Sequence, residues 1–186
     1  MKNKHPIDRL IAGMNRVDFV VMVIAQLLLA AMVVITFVSV LGRTFLHVSV
    51  PDDLLFQEML MVAVVFLPLS YVQSVGGHLE VTVLSDRFSK KVQTALIGLG
   101  LVLALMIFSW MAYLSFKQAI ESYSLGEVAY GSVLYIPEWP AKALIPLGLA
   151  WWSLRILLQI MFTRARPNEA QNELRQALDS SVSHNN

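Results

Sequence analysis

Four long apolar stretches take up most of this chain and decide what it can fold into. Phe19–Gly42 runs 24 residues without a charge, Met59–Gly77 runs 19 and Val92–Phe116 runs 25. Pro140–Thr163 forms a fourth stretch, interrupted by Lys142 and Arg155. A bilayer core about 30 Å thick takes roughly 20 residues of helix to cross. Three stretches meet that length outright. The fourth meets it if its two cations sit near its ends or pair. Lipid offers no water to the backbone, so a span made of one segment must be helical. The expectation is an all-α integral membrane protein with four transmembrane helices, near residues 17–42, 54–76, 92–120 and 137–162.

Little chain is left for anything else. Residues 1–163 read as a single four-helix membrane domain and residues 164–186 as a polar cytoplasmic tail. The longest connection, Lys117–Trp139, has 23 residues and cannot form a soluble domain of its own. One small bundle is the expected packing. Cysteine is absent, which excludes a disulfide framework, thiolate metal sites and a cysteine nucleophile. Lys2, Lys4, Arg9 and Arg16 give a basic start, but the apolar run behind them is too long for a signal-peptide core. It ends at Gly42-Arg43 rather than at a small-residue cleavage site, so it reads as a retained first span.

Charge sets the expected orientation. Residues 1–16, the connection Gly76–Lys91 and the tail after Thr163 together carry ten Lys and Arg. The other two connections carry three, namely Arg43, Lys117 and Lys142. Positive residues gather on the cytoplasmic side, so both termini are expected there. The third connection, with Glu121, Glu127 and Glu138, then faces outward.

Local signals refine this outline. Ser49, Pro51 and Asp52 suit a helix start, which places a helix from about Pro51 through Glu58 into the second span. Pro68 lies inside that span and is expected to kink it. The segment His78–Lys91 is too polar to span. As a helix it gathers Val81, Leu84 and Phe88 on one face, which suits an amphipathic helix lying against membrane lipids between spans two and three. Tyr130, Tyr135 and Trp139 suit an outer aromatic belt, and Trp151 and Trp152 an inner one. Arg155 lies about 13 Å up the helix axis from Arg164. It either snorkels to the inner surface, the preferred reading, or meets a buried partner.

The sequence offers no sign of catalysis. The four histidines, His5, His47, His78 and His184, lie outside the spans and cannot ligate haem between facing helices. There is no phosphate-cradling Gly-Lys-Ser/Thr loop, no H-E-x-x-H and no G-x-S-x-G. No run of carboxylates crosses a span to carry ions. The reading is therefore a non-enzyme with no cofactor, no metal and no nucleic-acid partner. What remains is a small set of charges near the span ends. Arg43 and Glu58 both fall on the outer side. They pair across a short hairpin, or each reaches water separately.

At these positions the chain resembles a known family, the small DctQ-like membrane subunits of tripartite ATP-independent periplasmic (TRAP) transporters. That family typically has an Arg at the end of the first span, here within Leu41-Gly42-Arg43. A Glu follows early in the second span, here Gln57-Glu58. A Gly-His follows that span, here Gly77-His78. An aromatic-and-proline segment opens the last span, here Tyr135-Ile136-Pro137-Glu138-Trp139, followed by Ile145-Pro146-Leu147-Gly148. Many relatives carry a Trp and a second acidic residue around the Glu, where this chain has Phe56 and Met59. The resemblance covers roughly Phe19–Phe162.

The resemblance implies a division of labour. A large, DctM-like permease subunit carries the solute and sodium sites, and a periplasmic solute-binding protein delivers an organic acid. The small subunit is a scaffold in the bacterial inner membrane that supports the large one and helps dock the binding protein. Arg43, Glu58, His78, Trp139 and Arg155 become candidates for structural or partner contacts. Glu121, Glu127, Tyr130 and Tyr135 become candidates for binding-protein docking. Two other classes compete: an autonomous small four-helix exporter, and the membrane anchor of a respiratory enzyme. The first span lacks the membrane-embedded Glu of the exporters, and the spans lack the histidine ligands of the anchors.

Overall fold

The computed structural model describes residues 6–48, 50–75 and 90–162. Helix α1 covers Pro6–Leu41. Its 36 residues reach about 54 Å, well beyond a hydrocarbon core. It opens with Pro6, where a missing N–H costs nothing. At Gly42–Leu46 it widens into a π turn and stops at His47, whose φ of 54° is left-handed. Gly42 is required there, because a Cβ would press on the Val48 carbonyl. Helix α2 (Asp53–Phe66) begins after Asp52, also left-handed at φ 55°.

Pro68 divides the second span. Its ring removes a backbone donor, α2 ends at Phe66, and a short helix α3 (Leu69–Ser74) completes the crossing. Helix α4 covers Lys90–Leu125 and helix α5 covers Trp139–Met161. Between them, residues 126–138 form a loop closed by an antiparallel bridge between Val128 and Pro137. The α1–π unit, the α2–α3 pair, α4 and α5 are each long and apolar enough to cross a membrane.

Within the small bundle expected from chain economy, the helices lie in a row. α1 packs on α2 and α3, these pack on α5, and α5 packs along α4. Among the described residues, no extensive contact joins α1 to α4. The reason lies in α5, which has buried residues on much of its circumference, including Leu149, Trp152 and Ile156. Those three pack against Leu101, Leu105 and Phe108 of α4 and against Phe66 and Leu69. The Trp152 and Phe108 rings lie 3.9 Å apart, so Trp152 is a core residue and not part of an inner interfacial belt. Gly148 lets α5 approach α2 closely; a Cβ there would collide with the Phe66 carbonyl. The edge helices α1 and α4 keep most of their apolar surface open.

The segment containing His78, expected as an interfacial helix, lies outside the described residues except for Lys90 and Lys91, which open α4. The polar tail lies outside them too.

Candidate functional site

Two polar clusters tie the row together, one among the spans and one at the loops joining α1 to α2 and α4 to α5. The first centres on Arg155 of α5, which is only 5% exposed. One terminal nitrogen, Nη2, donates to Asp18 Oδ2 of α1 and to Asn15 Oδ1 at 2.8 Å. Nε donates to Ser70 Oγ of α3 at 3.1 Å. The other Asp18 oxygen, Oδ1, accepts from the Trp151 indole N–H at 2.7 Å. Asp18 is 1% exposed, so both charges are held away from solvent. One turn on, Gln73 Nε2 of α3 donates to Gln159 Oε1 of α5 at 2.8 Å.

Snorkelling is therefore corrected for Arg155. A buried arginine keeps its charge where a carboxylate and further acceptors offset its lost hydration. Asp18 supplies that carboxylate, Ser70 accepts from Nε and Asn15 from Nη2. Trp151 likewise serves Asp18 and not an inner belt. Sequence reasoning missed Asp18 because it directly precedes the charge-free run and reads as a border residue. The available signal was Arg155 itself: a cation inside an apolar stretch calls for a carboxylate near the same depth.

The loop cluster is built on two consecutive carboxylates, Asp52 and Asp53. Asp52 accepts from Ser132 Oγ at 2.9 Å, from the Val133 N–H at 3.0 Å and from the Leu134 N–H at 2.8 Å. The two backbone N–H groups hold its carboxyl below the ordinary carboxylate range. Ser132 Oγ in turn accepts from the Ile136 N–H at 3.0 Å. Asp53 turns the other way, accepting from Ser39 Oγ of α1 and lying 3.6 Å from Arg43. So Arg43 faces Asp53 and not Glu58, whose position on α2 is exposed.

Lys142 sits in the first turn and a half of α5, where it binds Glu127 of the loop and Glu138 at 2.8 Å. The Lys142 ammonium holds the Glu127 carboxyl below its usual range. Trp139 packs edge-on against Tyr123 of α4, with centroids 5.4 Å apart. Of the residues expected to meet a partner, Tyr130 is 99% and Tyr135 79% exposed, and Glu121 is exposed as well. Glu127 differs from them, since its carboxylate is already engaged.

The family model for tripartite ATP-independent periplasmic transporters, DctQ component, matches residues 32–166. The chain belongs to the DctQ family. Neither the curated proteins nor the solved structures gave a match. This DctQ chain is thus a component of a TRAP transporter and a multi-pass membrane protein. The matched region contains the whole loop cluster and Arg155. It begins after Asn15 and Asp18, so the inner cluster joins a residue inside the matched region to residues outside it.

Proposed function

We propose that this DctQ chain is the small, non-catalytic scaffold subunit of a sodium-coupled TRAP transporter in the bacterial inner membrane. Its large DctM-like partner carries the solute and sodium sites. A periplasmic binding protein delivers an organic acid to the outer face, and both termini of the small subunit lie in the cytoplasm. Membrane lipids cover whatever surface the partner leaves open.

One observation supports this reading beyond family membership: the outer loop is pinned. Asp52 grips Ser132, Val133 and Leu134, and Lys142 grips Glu127 and Glu138. A loop held at both ends keeps Tyr130 and Tyr135 in fixed positions for an incoming protein, while Glu121 stands on the last turns of α4. Rigid exposed aromatics suit a docking surface because little entropy is lost on contact. An exposed carboxylate beside them suits steering of the encounter.

The test is reconstituted uptake. Vesicles with the small subunit alone should take up no solute, while both membrane subunits with binding protein should. Glu121→Lys should lower uptake at low binding-protein concentration while leaving assembly intact. It is a cleaner probe than a Glu127 reversal, which would also break the Lys142 pair. Uptake by the small subunit alone would overturn the scaffold role. Unchanged uptake by Glu121→Lys at every binding-protein concentration would remove Glu121 from the docking surface.

A further inference from the structure

Gln26 lies in the charge-free part of α1, about 12 Å along the axis from Asp18. Its position is exposed, and its carboxamide has no hydrogen-bond partner among the described residues. A carboxamide carries two donors and an acceptor, and hydrocarbon satisfies none of them. Other polar side chains in the spans show how this chain normally meets that demand. Thr36 donates to its own helix at the Met32 carbonyl, 2.8 Å away. Gln73 donates to Gln159 across helices, and Asn15 accepts from Arg155. Gln26 has neither solution.

The face around it is also unpartnered. Phe19, Val33 and Phe37 share the helical stripe of Gln26 and are each more than half exposed, with Ala30 leaving room between them. The stripe lies roughly a third of a turn round the helix from the side carrying Met14, Asp18, Ala25 and Ser39, which is buried. Lipid covers apolar side chains well but offers nothing to an amide at this depth. A neighbouring transmembrane helix can, because its backbone groups are paired internally and its polar side chains are free to bond across.

We propose that the Gln26 face of α1 is an intramembrane docking face for a helix of the large transport subunit. Gln26 anchors that helix by a hydrogen bond to one of its polar side chains. This docking face rests on the transporter reading above, since the chain is one component of a tripartite assembly. A second copy of this chain is the rival occupant.

The experiment uses the co-expressed, full-length complex. A photo-crosslinking residue at Val33, one stripe position from Gln26, should give an adduct with the large subunit. Gln26→Leu should lower the large subunit recovered with the small one roughly three- to tenfold, the range of an interhelical hydrogen bond in lipid. Gln26→Asn, which keeps an amide, should recover part of that loss. Because position 26 is exposed, the level of small subunit in the membrane should not change. Adducts of Val33 with a second copy, or with lipid alone, overturn the proposal, as does full recovery of the large subunit with Gln26→Leu. Those results leave the transporter reading intact. Failure of the unaltered subunits to co-purify overturns both.

Discussion

Arg155 of α5 and Asp18 of α1 form a buried ion pair between two helices that otherwise have little contact. The pair also recruits Ser70, so three spans meet at one guanidinium. A charge pair in this setting fixes which helices meet and at what depth more than it adds to net stability.

Removing one partner should therefore cost more than removing both. Asp18→Leu or Arg155→Met alone should destabilise the folded chain by about 3–5 kcal/mol, since the remaining charge is buried and unpaired. The double variant should regain most of that loss. Reversible unfolding in mixed micelles of mild detergent and SDS measures the difference. A double variant no better than the worse single one would show that the surrounding shape, and not the charge, carries the cost.

Asp52 should be an acid-sensitive latch. Its carboxyl titrates below the ordinary value of 3.8, so the latch holds from neutral pH down past that value and opens only when the folded carboxylate is protonated. A nitroxide on Val133→Cys, in a chain with no other cysteine, reports loop mobility. It should be immobile at neutral pH and loosen only below 3.8. In an Asp52→Asn background it should already be mobile at neutral pH.

Gly148→Leu should separate α5 from α2. The added side chain meets the Phe66 carbonyl, which cannot swing away as a side chain would. Overpacking of this kind costs about 1–3 kcal/mol. The same micelle titration reads it, and Gly148→Ala should fall between the leucine variant and the unaltered chain.

Orientation is open to direct test. Reporter fusions after Arg16 and Arg166 should report the cytoplasm, and a fusion within the loop at Gly131 the opposite side. The motive is the bias of ten to three in Lys and Arg. A cytoplasmic signal from the Gly131 fusion would invert the topology and move the pinned loop to the inner face.

Hydropathy made the spans legible because a long uncharged run has one cheap environment. The break at Pro68 was legible for the same kind of reason: a missing donor has a local consequence. The order of the row was not. Stretches apolar on every side, such as Val92–Phe116, carry no periodicity to say which face meets a neighbour. Asp18 and Arg155 were visible as residues but not as a pair, because 137 positions separate them and only the packed helices bring them to one depth. Glu127 shows the same limit: its residue type suggested a free docking carboxylate, and the placement of Lys142 consumed it.

The adjacent carboxylates Asp52 and Asp53 face opposite ways, one onto the loop between α4 and α5, the other onto Ser39 of α1. Mechanically they work like a hinge pin through two plates. One pair of neighbouring residues thereby ties the α4–α5 loop to the α1–α2 hairpin, so all four spans are cross-linked at one end of the row.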